Sequence, residues 1–270
     1  MLKQRIITAC ILAPLALFGV FGLSLSSFMF ALDAVIIVAA WEWANLSGYQ
    51  ATISRYSYVA LMAVAVGLLH VAYMQVPLDW LLISAVIFWG VALFWVMKYP
   101  QINVWKGRLT QGAIGFVVLL PCWLAFVMLK ASEHGGLLLL FILLLVWGAD
   151  IGAYFAGKRF GKNKLAPAVS PGKTREGLYG GVAVCFIVAT IFSVVLSSSI
   201  LQSISLVLLA LCVGLISVLG DLFESMLKRH RGIKDSSQLL PGHGGVLDRI
   251  DSLTAAAPLF VLGMHALLLL

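Results

Sequence analysis

Charged side chains are scarce in this sequence, at 11% of its 270 residues, against roughly a quarter in soluble domains. Hydrophobic residues make up 62%, and the mean hydropathy is +1.05. This scarcity excludes a soluble globular fold. Since no segment is polar and long enough to form a separate soluble domain, residues 1–270 are predicted to be a single membrane domain.

Cysteines are few, and the common catalytic motifs are missing. The four cysteines lie in apolar stretches without C-x-x-C spacing, which argues against zinc sites and disulfides. The sequence has no G-x-S-x-G, H-E-x-x-H or G-x-G-x-x-G. Gly172-Lys173-Thr174 is typical of the end of a Walker A loop, but Pro167 stands where that loop needs its first glycine. A P-loop nucleotide site is therefore excluded.

Apolar stretches of about 20 residues, enough to cross a bilayer, recur along the whole chain. The predicted fold is an all-α polytopic membrane protein with about nine transmembrane helices. The first stretch is interpreted as a retained helix, because no A-x-A-like cleavage site follows it. The predicted spans lie at about 6–24, 28–46, 57–75, 79–97, 111–130, 137–157, 178–197, 201–224 and 251–270.

The net charge of +7 is distributed by position. With Lys3 and Arg5 in the cytoplasm and nine spans, all 18 Lys and Arg except Lys130 fall on the cytoplasmic side. This distribution follows the positive-inside rule and predicts a cytoplasmic N-terminus and an external C-terminus. Orientation and anionic lipid headgroups account for the basic surface, so no nucleic-acid partner is implied.

The eighth predicted span ends in a stripe of polar residues. Asp221, Glu224, Ser225 and Lys228 stand at i, i+3, i+4 and i+7, so they share one helix face. A surface ion pair explains Glu224 and Lys228. It does not explain Asp221, which lies deeper in the span and calls for a ligand.

The ninth predicted helix follows a glycine-rich turn, Pro-Gly-His-Gly-Gly at 241–245. If the helix starts near Val246, Asp248 and Asp251 share a face, and the helix dipole favours one such acid by about 0.3–1 kcal/mol. Consecutive glycines also free backbone N–H groups to face an anion. His243 alone is weak evidence, since a loop histidine is more often a hydrogen-bonding residue than a base.

Asp221 and Asp248 are expected to lie close together, because a single loop joins their helices. Two carboxylates with phosphate oxygens are a typical Mg²⁺ ligand set, so both acids are predicted metal ligands and Mg²⁺ the cofactor. The segment 170–177 is interpreted as a second basic loop that holds phosphates. Cations around the acids would neutralise the rest of a triphosphate, namely Lys228, Arg229, Lys234 and Arg249. The roles of two acids nearer the N-terminus, Asp33 and Glu42, are left open between structure and function.

The polar stretch 225–252, ending Pro-Gly-His-Gly-Gly-x-x-Asp-Arg-x-Asp-Ser, closely resembles the signature of the phosphatidate cytidylyltransferase family. These are the CDP-diacylglycerol synthases. Three further segments look like that family, namely Trp41–Trp43, Asp150–Tyr154 and Ser170–Gly177. The resemblance is specific over about 147–252 and only topological before that. It implies that the single domain consists of scaffold helices over 1–130 and a catalytic region over 147–252.

The resemblance implies that CTP and phosphatidic acid react with Mg²⁺ to give CDP-diacylglycerol and pyrophosphate in phospholipid biosynthesis, at the cytoplasmic face of a bacterial inner membrane. The family's metal-binding acids map onto Asp221 and Asp248. Because the attacking phosphate oxygen is already anionic, catalysis reduces to positioning and charge stabilisation. The residues predicted to be catalytic are Asp221, Lys228, His243, Asp248 and Asp251. Those predicted to bind substrate are Asp150, Ser170, Lys173, Thr174, Arg175, Glu176, Arg229, Lys234, Gly244, Gly245 and Arg249.

Other functions fit the sequence less well. An ion-coupled transporter places its acids near the midplane of inverted repeats, whereas here they cluster at one face. A CTP-dependent lipid kinase is a closer alternative, since that related family shares the fold type. A CDP-alcohol transferase is disfavoured, because its D-x-x-D-G…D-x-x-x-D acids are missing. The oligomeric state, a homodimer included, is left open.

Overall fold

A computed structural model describes residues 2–73, 75–196 and 199–269, with only the backbone of residues 2, 3, 5 and 6. The side chains of Lys3 and Arg5, used above for the orientation, thus lie outside the described residues. The described chain folds into nine α-helices and one β-hairpin. The helices are α1 (Leu2–Gly22), α2 (Leu25–Leu46), α3 (Thr52–Tyr73), α4 (Asp79–Lys98), α5 (Arg108–Ala131), α6 (Gly135–Phe160), α7 (Arg175–Leu196), α8 (Ile200–Arg231) and α9 (Leu247–Ala266).

The predicted all-α membrane fold is confirmed in its coarser form. Each predicted apolar stretch coincides with one helix, and α2 to α8 are seven helices long and apolar enough to cross a membrane within the described residues. Helix α1 contains a shorter apolar run, 7–22. Helix α9 has three charged residues among its first five, which lowers its hydropathy.

Local sequence explains where α8 begins and ends. The Ser199 side chain accepts a hydrogen bond from the Gln202 N–H (3.2 Å), which caps the first turn. Gly232 ends the helix in the left-handed conformation, at φ 75°. The 32 residues between them span about 48 Å at about 1.5 Å per residue. Since the hydrocarbon core is about 30 Å thick, the last turns of α8 project beyond it.

Successive helices run in opposite directions, so the loops gather at two ends of the bundle. One end, here called the polar end, carries the loops 47–51, 99–107, 161–174 and 232–246. Side-chain hydrogen bonds to backbone carbonyls connect helices to loops and to each other at that end: Thr8 of α1 to Pro241 (2.9 Å), Arg229 of α8 to Val169 (3.2 Å) and Arg231 of α8 to Asn45 of α2 (3.1 Å).

The β-hairpin lies at the polar end between α6 and α7, and the sequence analysis did not predict it. Strand β1 (Lys164–Ala166) pairs antiparallel with β2 (Ser170–Thr174). The hairpin connects α6 to α7, and these two helices pack tightly against each other because glycines let their backbones approach. A Cβ on Gly152 would lie 2.6 Å from the Gly180 carbonyl oxygen. This close contact brings the end of α6 against the start of α7.

Candidate active site

A polar cavity of about 410 Å³ opens where α6, α8, the hairpin and the start of α7 meet. Its volume lies within the range of about 300–1,000 Å³ that is typical of small-molecule sites. The titratable side chains that line it among the described residues are Asp150, Tyr154, Lys158, Lys173 and Asp221. The cavity therefore offers both cations and carboxylates at the polar end of the bundle.

Asp221 and Lys173 form an ion pair across this cavity. The Lys173 Nζ lies 2.7 Å from Asp221 Oδ2, and the Ser225 hydroxyl donates to Asp221 Oδ1 (3.2 Å). Both side chains keep solvent access, at 24% for Lys173 and 30% for Asp221. Asp150 lies near enough for its charge to interact with this pair and with Arg249. An incoming anion or cation can thus replace either partner of the pair.

Asp221 is the most exposed member of a set of charges here called the carboxylate cluster, which consists of Asp221, Glu224, Asp248 and Asp251 around Lys228. The Lys228 Nζ lies 2.6 Å from Asp248 Oδ1 and 3.4 Å from Glu224 Oε2. Neither Oε atom of the buried Glu224 accepts a hydrogen bond from the described residues. Asp251 lies in electrostatic range of Asp221 and Glu224. Two lysines, Lys173 at Asp221 and Lys228 at Asp248 and Glu224, therefore face four carboxyl groups, an arrangement that favours a further cation.

Asp248 organises the loop before α9. Its Oδ2 accepts hydrogen bonds from the backbone N–H groups of Ser236 (2.9 Å) and Gly245 (2.7 Å), and from the Ser236 hydroxyl (2.7 Å). Its Oδ1 pairs with Lys228, and only 5% of the side chain is exposed. Asp248 is thus held by four donors, whereas Asp221 faces the cavity.

Glu42 anchors the same loop from the other half of the chain. Its carboxylate is fully buried and accepts from the Ser237 hydroxyl (2.5 Å) and the N–H groups of Val246 (3.1 Å) and Leu247 (2.7 Å). These N–H groups begin α9, where the helix dipole favours a negative charge. The sequence left the role of Glu42 open, and the structure assigns it to positioning the loop.

The glycine-rich turn directs its N–H groups at anions, but these anions belong to the protein. Gly242 and Gly244 have left-handed φ values of 77° and 83°. The next N–H groups then bind Asp248 and Glu42. A Cβ on Gly245 would lie 2.4 Å from Glu42 Oε1, so a larger residue would displace this carboxylate. His243 lies in the turn with its Nδ1 buried and unpaired among the described residues.

The predicted phosphate-holding segment 170–177 divides into different roles. Lys173 and Thr174 both line the cavity, and Lys173 is the charged side chain of the two. The Thr174 hydroxyl accepts from the Gly177 N–H (3.1 Å) and so caps the first turn of α7. Glu176 accepts from the Lys162 N–H (3.1 Å) and the Asn163 side chain (2.7 Å), which fixes the loop after α6. The contacts of Thr174 and Glu176 thus shape the hairpin around Lys173.

The remaining predicted substrate residues lie at separate positions around the polar cavity and do not line it. Ser170 pairs with Ala166 in the hairpin, and Arg229 holds the hairpin loop through the Val169 carbonyl. Lys234 and Arg249 are exposed at the polar end. Arg175, by contrast, lines a second and apolar cavity.

Asp33, the other acid whose role the sequence left open, lies apart from the carboxylate cluster. Its carboxylate accepts from the Trp123 indole N–H (2.7 Å) and lies 3.0 Å from His70 Nε2. These partners satisfy Asp33 inside the scaffold helices α2, α3 and α5. The structure therefore favours a packing role for Asp33.

Comparison with known proteins relates this architecture to one family over nearly the whole chain. A model of the cytidylyltransferase family matches residues 3–267. The chain is 47% identical over 262 residues to the phosphatidate cytidylyltransferase of Pseudomonas aeruginosa, covering 96% of each. It is 41% identical over 280 residues to that of Haemophilus influenzae, covering 96% of this chain and 97% of the relative. With that of Bacillus subtilis it shares 34% identity over 263 residues, or 95% of each.

Proposed function

The chain belongs to the cytidylyltransferase family, as its motifs indicated, and we propose that the polar cavity and the carboxylate cluster are its active site. The reaction is that of a phosphatidate cytidylyltransferase, in which CTP and phosphatidate give CDP-diacylglycerol and pyrophosphate. The main support for this active site is the ion pair between Lys173 and Asp221, which lies in a cavity beside buried carboxylates. Such a site suits a substrate that brings several negative charges and a divalent cation.

The chemistry needs positioning more than proton transfer. A phosphate oxygen of phosphatidate attacks the α-phosphorus of CTP, the new P–O bond forms, and the bond to the β-phosphate breaks to release pyrophosphate. The attacking oxygen is already anionic, so no strong base is required. Lys173 and Lys158 would face the triphosphate in the cavity and stabilise its charge as the pyrophosphate leaves.

The carboxylate cluster fits a magnesium ion. Carboxylate oxygens are the donors that Mg²⁺ prefers, and the ion commonly takes one or two of them and completes its shell with waters and substrate phosphates. Within the described residues no group of three or more His, Cys, Asp or Glu side chains is arranged to hold a metal ion, so a bound ion would depend on substrate phosphates for further ligands. We propose Asp221 and Asp248 as the ligands, with Asp221 the more accessible. When bound, Mg²⁺ would neutralise charge on the triphosphate and on the leaving pyrophosphate.

The test of the function is incubation of purified protein with labelled CTP, phosphatidate and Mg²⁺. The expected products are CDP-diacylglycerol and labelled pyrophosphate in equal amounts. A parallel incubation replaces phosphatidate with diacylglycerol, and release of CDP with formation of phosphatidate there, without CDP-diacylglycerol in the first incubation, would contradict the proposal and indicate a CTP-dependent kinase.

We propose that all nine helices cross the bacterial inner membrane, with the polar end in the cytoplasm. The support is the excess of Lys and Arg in the loops and adjoining helix ends of the polar end, which follows the positive-inside rule. Reporter fusions after residue 270 and within the loop 161–163 should therefore report opposite sides of the membrane. Signals from one side only would contradict the nine-span topology.

Removing the Lys173 charge should weaken CTP binding selectively. A charge-assisted contact to a phosphate contributes about 1.5–3 kcal/mol, so Lys173→Ala should raise the KM for CTP about ten- to a hundredfold. Arg55→Ala is the control, because the Arg55 guanidinium stacks 3.5 Å over the Trp41 ring, outside the cavity. Its kinetics should stay within about twofold of wild type. Equal losses in the two variants would show that Lys173 contributes only to general surface charge.

A further inference from the structure

A second cavity, of about 810 Å³, lies between α4, α7, α8 and the hairpin loop 165–169. Its lining is apolar, with Trp89, Leu93, Leu215 and Leu219 among the largest side chains. Arg175 is the one charged lining residue among those described. The sequence analysis did not predict this cavity, and the mechanism above does not use it.

The apolar cavity opens sideways from the bundle, toward the lipid. Three residues that line it are exposed on the outer surface of the helices, namely Leu93 (47%), Met97 (74%) and Leu215 (47%). Along α8 the lining runs from Leu222 to Cys212, a rise of about 15 Å. That length is about half of a hydrocarbon core of about 30 Å, or one leaflet.

The two cavities share a wall, because Leu165, Leu178 and Val218 line both of them. The second strand of the hairpin gives one cavity a cation, and the first residue of α7 gives the other cavity a cation. Lys173 lines the polar cavity and Arg175, two residues later, lines the apolar one, while Thr174 between them is buried. No carboxylate pairs with the Arg175 guanidinium in the described part of the chain. A cation at the polar-end border of an apolar, membrane-open cavity is complementary to an anionic lipid.

We propose that the apolar cavity holds the acyl chains of phosphatidate while Arg175 binds its phosphate group, so that the lipid oxygen meets CTP at the wall between the two cavities. This inference rests on the proposed function, because it names the site of that reaction's second substrate. It makes Gly90, where α4 lines the cavity, a determinant of acyl-chain fit. It also separates the two cations, with Lys173 for the nucleotide and Arg175 for the lipid.

Filling the cavity tests the acyl-chain site. A side chain on Gly90 would meet nothing within 4 Å, so Gly90→Leu should fold and project into the cavity. The KM for dioleoyl phosphatidate should rise about tenfold and that for dihexanoyl phosphatidate less than about twofold, since short chains do not fill the space. The KM for CTP should not change. The matched control is Gly67→Leu on α3, which also meets nothing within 4 Å and does not line the cavity.

Equal KM values for dioleoyl phosphatidate in the two glycine variants would overturn the proposal. They would indicate that membrane lipids in general, and not the substrate, occupy the cavity. A binding measurement separates this from a failure of the proposed function, because it needs no turnover. A phosphatidate with a diazirine near the end of one acyl chain should label peptides 86–97 and 212–222, and excess dioleoyl phosphatidate should suppress the labelling. Adducts confined to other helices would also overturn the proposal.

The role of Arg175 in binding the lipid phosphate is tested with the variant Arg175→Gln. The KM for phosphatidate should rise about tenfold or more, through the loss of one charge-assisted hydrogen bond, while the KM for CTP stays constant. Lys173→Ala should give the opposite pattern in the same assay. A rise in the KM for CTP alone in Arg175→Gln would contradict the assignment of Arg175 to the lipid.

Discussion

Asp221→Asn should lower kcat by about a thousandfold or more while the protein folds normally. The substitution keeps the shape of the side chain but removes the negative charge that faces Lys173 and the cavity. A catalytic cation contributes several kcal/mol of charge stabilisation, and each 1.36 kcal/mol is about tenfold in rate. The measurement is CDP-diacylglycerol formation over a range of Mg²⁺ concentrations, with the apparent melting temperature recorded in parallel.

Folding should be little affected, because Asp221 is 30% exposed and its hydrogen-bonding partner Ser225 can still donate to an amide oxygen. Asp79→Asn is the matched control. Asp79 is another half-exposed acid paired with a cation-forming side chain, His265, at the opposite end of the bundle. It should keep near wild-type turnover. Wild-type turnover of Asp221→Asn at saturating Mg²⁺ would refute the proposed metal site.

Asp248→Ala should lose both activity and stability, in contrast to Asp221→Asn. It removes the acceptor of two backbone N–H groups and one hydroxyl, and it leaves Lys228 buried with Glu224 as its remaining close partner. Breaking a buried ion pair from one side costs about 3–5 kcal/mol. The apparent melting temperature in detergent should therefore fall by several degrees, and product formation should be undetectable.

A double variant separates the loss of activity from the loss of stability. Asp248→Leu with Lys228→Met removes both charges of the pair, and apolar replacement of a buried pair is often neutral for stability. The double variant should recover part of the melting temperature lost in Asp248→Ala and none of the activity. Recovery of activity would mean that Asp248 is only a structural partner of Lys228. An unchanged melting temperature in Asp248→Ala would contradict the hydrogen-bond network described here.

Hydropathy predicted the helices well because a bilayer requires about 20 consecutive apolar residues, which few other structures do. The largest difference is at the end of α8. The predicted span stops at 224, whereas the helix continues to Arg231. Lys228 and Arg229 are good helix formers, and the first residue that favours another conformation is Gly232. Hydropathy reports where the membrane ends, and here the helix extends beyond it.

The shared face of Asp221, Glu224 and Lys228 was also predictable, because the helical repeat alone determines it. The partners of these residues were not. Glu42 and Ser237 stand 195 positions apart, and no periodicity links them. The donors to Asp248 include two backbone N–H groups, which every residue type carries and a sequence cannot distinguish. The division of 170–177 into a cavity-facing lysine and capping side chains likewise depends on the hairpin, whose strands have only three and five residues.

The hydrogen bonds between Glu42 and the distant loop before α9 have a consequence for how the protein folds during synthesis. Helix α2 enters the membrane long before the loop that its carboxylate anchors, since Ser237 is synthesised 195 residues after Glu42. At about 5–20 residues per second, that delay is about 10–40 s. During this interval Glu42 has none of its later partners from the loop. The loop before α9 thus takes its final form only when nearly the whole chain has been synthesised, and a nascent chain that stops before residue 246 lacks both backbone N–H groups that bind Glu42.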